Sequence, residues 1–391
     1  MSTRQSKSAN THSRLSELDW LRVAAVVAVF VHHAGMPFNG DDWGIMNAQS
    51  SKLLDDIMVY FEQFRLPILF FVSGAGAGLL LAKRTAPAFA WDKIRRLFLP
   101  LLVGMTLIVP PQLYLEDPAR YASLWSAYPA LALAFEAKHL WFIEYLLVFS
   151  LIAIPVQRLL AGDRAQALHT MAQACARSGW GLLLAGLLIA ALRVGLKDSF
   201  PSDSKSIENL SSSLFYFSFF CAGLILIAHR GTWTRIQSRW RLHACGFLAV
   251  SVVFYAYYFI DFSPYFDLGT LWAIWWALGA ALAWSGVVAS LSMAQRFLWT
   301  TPPWLTQANS LIYPFYILHQ TVIVIFAYHI VQWPMGIAAK WACLLILSFS
   351  VTALACRVLI YPSDTLRFLF GMRSKVKDDV TAGGKAVEQA P

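Results

Sequence analysis

The chain has 391 residues, of which 58% are hydrophobic and only 14% are charged, with 16 Trp and a formal net charge of +9. This composition is typical of a polytopic membrane protein and excludes the ordinary soluble enzyme classes. Residues 1–18 are polar and Ser-rich, and no small-residue cleavage site follows the first apolar run, so we expect the chain to keep its N-terminus.

Apolar runs long enough to cross about 30 Å of hydrocarbon occur at ten places. They cover residues 19–38, 64–82, 97–113, 140–160, 180–196, 210–228, 243–260, 268–291, 309–332 and 337–360. The sequence therefore predicts an all-α fold, a polytopic transmembrane helical bundle of about ten spans. We expect an N-terminal cytoplasmic tail at 1–18, a membrane domain at 19–362 and a basic, largely disordered cytoplasmic tail at 363–391.

The distribution of Lys and Arg predicts the orientation of the bundle. With the N-terminus in the cytoplasm, 21 basic residues lie in inner segments and six in outer loops, and the first outer loop, 39–63, is acidic. This bias predicts that both termini are cytoplasmic, as an even number of spans requires. Most of the positive charge is then a topology signal, and nucleic acid is not an expected partner.

Cysteine spacing gives no sign of a disulfide framework or a metal site. The five cysteines are at positions 175, 221, 245, 343 and 356. None forms a CxxC pair and most lie in apolar segments, so we expect small buried thiols and no bound metal. The chain also lacks zinc-ligand spacing, a Walker loop and a dinucleotide fingerprint.

The first span carries ionisable residues at depth. Arg22 opens the apolar run and His33 follows about three helical turns later, so both lie on one face roughly 16 Å apart. His32 lies about 80° from that line and faces another neighbour. Asp19 can pair with Arg22 at the inner interface, and a snorkelling arginine with a structural partner is the alternative for these two. Because ionisable groups in lipid face the bundle interior or a wet cavity, we expect this helix to line a site.

The segment FRLPILFFVSGAGAG, residues 64–78, combines a charge, a proline and three glycines. Pro67 is expected to weaken the start of the helix, and the glycines to allow close approach of a neighbouring helix. Arg65 is expected to pair with an acidic residue or with a substrate. Further along, WDKIRRLFLPLL places basic residues just before a span. They either determine the orientation of that span in the membrane or bind a donor that carries phosphate.

Two later segments add polar residues to apolar runs. KHLWFIEY carries His139 and Trp141 at the outer interface and Glu144 within the span, where a carboxylate needs a partner. IYPFYILHQTVIV carries Pro314, which is expected to disturb the helix, and His319 near mid-span. For each histidine, a hydrogen-bonded structural role is the alternative to a functional one.

These residues alone leave several functions open. A proton-coupled transporter or glycan exporter also places His, Glu and Arg inside its bundle. A haem protein could use His33, His139 and His319 as axial ligands. A non-catalytic membrane partner of a glycan synthase would also fit.

Taken together and in order, LDWLR, RLPILFFVSG, RRLFLPLL, HLWF and YPFYILHQ resemble the recurrent blocks of the acyltransferase-3 superfamily of integral membrane acyltransferases. The likeness runs from about residue 18 to 362, and Arg22 and His33 match the superfamily's Arg-x10-His pattern. HHAGMPF, FRLPILFFVSG and RRLFLPLLVGM are most similar to its glucan biosynthesis branch. The chain departs from that branch at His32, where an aromatic residue is expected.

The resemblance implies transfer of a succinyl or acetyl group from a cytoplasmic acyl-CoA to a hydroxyl of a periplasmic or cell-surface glycan. It implies a bacterial inner-membrane location, membrane lipid as a partner, association with the glycan synthesis machinery, and acyl-CoA as a co-substrate with no bound cofactor. His33 is then the general base or a nucleophile, and Asp19 orients Arg22. The donor phosphates are expected at Arg22, Lys93, Arg95 and Arg96. Acceptor binding or proton handling is expected at His319, His139, Trp141, Glu144 and Arg65.

Overall fold

Helices form nearly all of this protein. The computed structural model describes residues 15–162, 165–202 and 204–373, and it is 82% helical, with no strand among the described residues. The predicted tails at residues 1–14 and 374–391 lie outside the described residues. The helical content confirms the predicted all-α fold class.

Seventeen α-helices are present in the described ranges. They are Ser16–Asn39 (α1), Lys52–Leu81 (α2), Ala86–Lys93 (α3), Leu99–Val103 (α4), Val109–Glu116 (α5), Leu124–Leu133 (α6), Trp141–Ala161 (α7), Gln166–Ser178 (α8), Trp180–Leu184 (α9), Gly186–Ser199 (α10), Leu210–Ala228 (α11), Arg230–Ile236 (α12), Trp240–Phe259 (α13), Leu268–Phe297 (α14), Pro303–Ile330 (α15), Ile337–Ala355 (α16) and Asp364–Leu369 (α17). Single π-helical segments join some of them, at Ile94–Phe98, Gly104–Ile108 and Cys356–Ile360.

Ten helical segments of the described chain are long and apolar enough to cross a membrane, as predicted. They are Ser16–Asn39, Lys52–Leu81, Ala86–Glu116, Leu124–Ala161, Trp180–Ser199, Leu210–Ala228, Gly231–Phe259, Leu268–Phe297, Pro303–Ile330 and Ile337–Ile360. Because ten is even, the first span begins and the last span ends on the same side of the membrane. We call this side the basic end, because Lys93, Arg96, Arg367 and Arg373 lie there.

The second span begins twelve residues before the predicted boundary at 64. Three of the acidic residues assigned to the first outer loop, Asp55, Asp56 and Glu62, therefore lie in the first three turns of α2. Ser51 caps this helix by accepting a hydrogen bond from the Leu54 backbone N–H at 3.3 Å. The Lys52 ammonium lies 3.1 Å from Asp55 and 2.5 Å from Asp56. These local contacts stabilise the polar first turns of the helix, for which hydropathy alone predicts a loop.

The two prolines expected to disturb helices do not interrupt them. Pro67 lies inside α2 and Pro314 inside α15, and both helices continue for several turns on either side. Both rings are buried against neighbouring helices. Packing of this kind is what allows proline within membrane helices, because neighbouring groups compensate for the missing backbone hydrogen bond.

Glycines bring α2 and α11 into backbone contact. A Cβ added at Gly74 would overlap the Phe220 carbonyl, and one added at Gly223 would overlap the Phe71 carbonyl. This reciprocal contact requires both glycines, as the helix-packing interpretation of the sequence predicts. The contact fixes the position of α2. This helix contains Arg65 and also forms one wall of the cavity described below.

The fold continues past the predicted membrane domain boundary at 362. Residues 363–373 include the short helix α17 and return to the basic end of the bundle, where Arg367 is only 2% exposed. The tail expected from residue 363 is therefore ordered over its first eleven residues. The hydrogen bonds that hold this segment are made to carbonyls of the chain around it, which composition does not reveal.

Candidate active site

A cavity of about 680 Å³ opens into the basic end of the bundle. Six segments build its walls, most of them with side chains spaced three or four residues apart, as expected for helix faces. The lining residues are Asp19, Arg22 and Val26 from α1, Leu69, Ser73, Gly76 and Leu80 from α2, Asp92, Lys93, Arg96 and Leu97 from the third span, Phe142, Leu146 and Ser150 from α7, Thr306, Asn309, Ser310, Ile312, Tyr313 and Tyr316 from α15, and Arg367, Gly371, Met372 and Arg373 after the last span.

Positive charge dominates this cavity, which we call the basic cavity. Among its lining residues five are Lys or Arg and two are Asp. The acidic pair lies near the mouth and each carboxylate contacts an arginine, with Asp92 3.2 Å from Arg84 and Asp19 3.4 Å from Arg22. The deeper wall is apolar, formed by Val26, Leu69 and Phe142 among others. The cavity therefore suits a ligand with an anionic head and a thin, less polar arm.

Arg22 is held at the cavity wall by polar side chains from two helices. Its Nη1 lies 3.4 Å from Asp19 Oδ1 and 3.4 Å from Asn309 Oδ1. Asn309 in turn donates to the Asp19 carbonyl at 3.3 Å. The predicted Asp19–Arg22 pair is present, and Asn309 is a third member that the sequence did not indicate because it comes from α15.

The predicted basic group on the third span divides in two. Lys93 and Arg96 line the basic cavity, whereas Arg95 lies outside its lining with its guanidinium 6.0 Å from the Phe368 ring centroid. Arg96 also donates from Nε to the Gly371 carbonyl at 3.3 Å. The separation follows from helix geometry, since adjacent residues point in directions about 100° apart.

At the other end of the α1 stripe, His33 meets His319. Their rings are joined by a 2.8 Å contact between His33 Nδ1 and His319 Nε2. The ring planes differ by only 7° and the centroids are 5.0 Å apart, so the rings lie edge to edge in nearly one plane rather than face to face. His319 Nδ1 then lies 2.5 Å from the Tyr316 carbonyl oxygen. We call this arrangement the histidine chain.

The carbonyl at one end determines the proton positions along the histidine chain. A carbonyl oxygen only accepts, so His319 Nδ1 carries the hydrogen and, in the neutral ring, its Nε2 accepts. His33 Nδ1 must then donate, which leaves the lone pair of neutral His33 on Nε2. His33 is therefore presented with a basic nitrogen that no other member of the chain uses.

His139 and Tyr316 lie against the same chain. The His139 Nε2 donates to the Ile317 carbonyl at 3.0 Å, and its ring centroid is 5.3 Å from that of His319. The Tyr316 hydroxyl donates to the His139 carbonyl. These contacts tie α15 to the start of α7, and Tyr316 also lines the deep end of the basic cavity. Tyr316 therefore connects the wall of the cavity to the histidine chain, although none of the three histidines is itself a lining residue.

His32 has a different role from His33. Its Nδ1 lies 2.9 Å from Nη1 of Arg65, and because a guanidinium only donates, this nitrogen accepts. Arg65 is only 3% exposed, so His32 is a hydrogen-bond partner for a buried cation. The sequence predicts an acidic residue or a substrate as the partner of Arg65; the structure places His32 in hydrogen-bond contact with it and Glu62 within electrostatic range.

The remaining predicted acceptor residues, Trp141 and Glu144, make no hydrogen bond to the histidine chain in the described part of the protein. Trp141 is half-buried, with the Lys205 ammonium 5.9 Å from its ring centroid, and Lys205 pairs with Glu62 at 3.3 Å. Glu144 is half-buried and, within the described part of the chain, has no hydrogen-bond or ion-pair partner. The bundle partner expected for Glu144 is thus not found among the described residues.

Haem ligation by the three predicted histidines does not fit this geometry. A metal held by two imidazoles needs roughly 4 Å between the ligating nitrogens, because each metal–nitrogen bond is about 2 Å long. The facing nitrogens of His33 and His319 are 2.8 Å apart and bonded to each other. His139 directs its Nε2 to a backbone carbonyl.

Comparisons with known proteins agree with these features. The family described as "Acyltransferase domain" matches residues 15–359. The chain is similar to the glucans biosynthesis protein C of Salmonella paratyphi A and of Salmonella agona, each 25% identical over 252 residues. It is also similar to the protein of that name from Salmonella gallinarum, 25% identical over 257 residues. These alignments cover 61% of this chain and 64% of each relative's length. No solved structure matches the chain.

The family match spans the ten membrane helices almost completely, and it includes both Arg22 and His33. The resemblance to the acyltransferase-3 superfamily and the likeness to glucan biosynthesis protein C, both expected from short sequence blocks, are confirmed. This chain belongs to the acyltransferase-3 family of membrane acyltransferases.

Proposed function

We propose that this protein is an integral membrane O-acyltransferase that moves a succinyl or acetyl group from a cytoplasmic acyl-CoA to a hydroxyl of a periplasmic or cell-surface glycan. The observation that carries the proposal is the placement of the basic cavity and the histidine chain along one stripe of α1. The family supplies the reaction class. The name of the Salmonella relatives supports a glucan as the acceptor.

The basic cavity is the proposed donor site. Arg22, Lys93 and Arg96 would hold the phosphates of coenzyme A, because guanidinium and ammonium groups form charge-assisted hydrogen bonds to phosphate. Arg22 and His33 lie about 16 Å apart along α1, a distance that suits the long, thin pantetheine arm. The apolar depth of the cavity, at Val26 and Phe142, would accommodate that arm.

His33 is the proposed general base. Its Nε2 would take the proton of an acceptor hydroxyl as the oxygen attacks the thioester carbonyl carbon. The C–S bond then breaks, and the protonated His33 returns its proton to the departing thiolate of coenzyme A. His319 accepts from His33 Nδ1 throughout, so it orients the ring in the way that a carboxylate orients the histidine of a catalytic triad.

The acceptor would approach from the end of α1 opposite the basic end. The acceptor would pass the segments at 39–63 and 114–138 and meet Trp141 and Glu62, both of which contact Lys205. Half-exposed aromatic and charged side chains of this kind suit a sugar, which presents both apolar faces and hydroxyls. With the basic end in the cytoplasm, as the distribution of Lys and Arg predicts, the glycan enters from the periplasm of a bacterial inner membrane.

The test is acyl transfer in membranes that carry the intact chain, His33→Ala, or the matched control His329→Ala, an exposed histidine of α15. Labelled succinyl-CoA and acetyl-CoA are the donors, and total glycan is the acceptor, with matched expression of all three proteins. We expect label in glycan with the intact chain and the control, and none above background with His33→Ala. Equal transfer by all three would reject His33 as the base, and no transfer by any would favour a transport or partner role.

A further inference from the structure

The segment that follows the last span forms part of the wall of the basic cavity. Residues 363–373 contain the short helix α17 and a turn, and four of them line the cavity: Arg367, Gly371, Met372 and Arg373. Composition predicts that this segment belongs to a basic, largely disordered tail. Its placement instead puts one buried arginine, Arg367, and one exposed arginine, Arg373, in the wall of the cavity.

Arg367 holds this segment in place by hydrogen bonds to backbone carbonyls at both of its ends. Its side chain is 2% exposed and donates from Nε and Nη2 to the Arg373 carbonyl, at 2.9 and 2.5 Å. Nη1 reaches the Tyr361 carbonyl at 3.5 Å, and the guanidinium lies 5.0 Å from the Tyr361 ring centroid. Arg367 thereby closes residues 361–373 into one loop. Because its donors are used on backbone carbonyls, its role is to position Arg373.

Gly371 packs the same segment against Arg96 and Tyr313 of the cavity wall. Its φ is +69°, in the left-handed region that favours glycine. A Cβ at this position would lie 2.6 Å from the Arg96 carbonyl oxygen and 2.7 Å from the Tyr313 ring. The Gly371 carbonyl also accepts from Arg96 Nε at 3.3 Å. The turn is thus packed directly against two residues of the cavity wall.

Arg373 is one of the five basic residues that line the cavity. Its side chain is exposed, lines the cavity and lies within electrostatic range of Arg96. Like charges brought together in this way repel, and an anionic ligand between them relieves the repulsion. A phosphate group also matches the forked donors of arginine.

We propose that residues 363–373 form the phosphate-recognition wall of the donor site, with Arg373 contacting a phosphate of the donor and Arg367 and Gly371 positioning it. The inference rests on the proposed function, because it assigns a donor that carries phosphates to the basic cavity. It adds that donor selection depends on a segment outside the ten spans. Changes in this wall would therefore leave the binding affinity of a donor without phosphates unaltered.

The experiment compares binding of coenzyme A and of pantetheine, which has the same thiol arm without phosphates, to the full-length protein in detergent. The variants are Arg373→Ala, Arg367→Ala and Arg367→Lys, with Arg357→Ala as a matched control that removes an exposed arginine of the basic end outside the cavity lining. We expect Arg373→Ala to weaken coenzyme A binding about tenfold, the loss of one charge-assisted hydrogen bond, and to leave pantetheine binding unchanged. Arg367→Ala is expected to weaken coenzyme A binding in the same selective way, with partial recovery in Arg367→Lys.

The outcomes separate this inference from the proposed function. If coenzyme A binds all four variants equally while His33→Ala abolishes acyl transfer, the wall assignment is wrong and the proposed function stands. If Arg373→Ala weakens coenzyme A and pantetheine alike, the segment supports the fold rather than recognising phosphate, and the assignment is also wrong. If coenzyme A does not bind the intact protein, both the donor assignment and this inference fail.

Discussion

His33 and His319 share a hydrogen bond that lies in the plane of both rings, although the two residues are 286 positions apart in the chain. The bond has a direction because the Tyr316 carbonyl fixes the hydrogen on His319 Nδ1. Each of the two helices therefore supplies half of the proposed catalytic pair. Neither histidine alone defines the tautomer that leaves His33 Nε2 free to accept a proton.

Loss of His319 is expected to lower the rate of acyl transfer without abolishing it. His33→Ala removes the base and is expected to reduce kcat by about 10²–10⁴-fold. His319→Ala removes only the group that orients it, so a smaller loss of about 10–100-fold is expected, the range found for groups that orient metal-binding histidines. Added imidazole should restore part of the activity of His319→Ala by occupying the vacated space. A loss as large as that of His33→Ala, with no recovery in imidazole, would contradict an orienting role.

Arg22 is expected to act on donor binding more than on chemistry. Arg22→Ala should raise KM for the acyl-CoA donor by about tenfold or more, since it removes charge-assisted contacts to phosphate. Arg22→Lys keeps the charge but loses the fork that contacts Asp19 and Asn309, so an intermediate KM is expected. Steady-state kinetics at several salt concentrations measures both, and the intact protein should show the stronger rise of KM with salt. A change confined to kcat would place Arg22 in the chemical step instead.

Substitution of the contact glycines is expected to destabilise the bundle. Gly74→Ala and Gly223→Ala each force a Cβ into the backbone of the facing helix, so α2 and α11 must separate. Overpacking of this kind costs about 1–3 kcal/mol, which should appear as a lower midpoint of thermal unfolding in detergent. Gly76→Ala is the matched control on the same helix, because a Cβ there meets only Arg22 Nη2, at 3.9 Å. Equal midpoints for all three variants would show that the helix pair tolerates the added methyl group.

His32→Phe is expected to separate stability from chemistry. The substitution removes the acceptor for the buried guanidinium of Arg65, and leaving a buried donor unpaired costs about 1–3 kcal/mol. We expect a lower unfolding midpoint, with kcat retained because His33 and His319 are untouched. The double variant His32→Phe with Arg65→Leu should recover most of the stability. A collapse of kcat in His32→Phe to the level of His33→Ala would instead make His32 part of the reaction.

Much of the fold can be predicted from the sequence because spans depend on local apolar length. All ten spans were predicted at approximately the right places. The polar start of α2 was missed, since Asp55 and Asp56 suggest a loop until their contacts with Lys52 are seen. Residues 363–373 were missed for a similar reason: the burial of Arg367 depends on backbone carbonyls around it, which no composition measure includes.

The site was only half predictable, because one helix face can be read from spacing and its partners cannot. The Arg22–His33 stripe follows from helical periodicity, and the structure places its two ends at the basic cavity and the histidine chain. His319 was a candidate residue, but its bond to His33 depends on how α15 packs against α1. Asn309 and Arg373 were not candidates, because polar residues near helix ends and in tails usually face water.

The π-helical segment Gly104–Ile108 affects how the third span should be compared with its relatives. Each π-turn accommodates one residue more than an α-helical path, so deleting one residue there would restore the α-helical path and leave Val109–Glu116 facing the same neighbours. Gln112, which is fully buried, would then keep its place in the interior. A one-residue gap in an alignment of this region therefore marks the loss of the π-turn with the following helix kept in phase, rather than a shortened span.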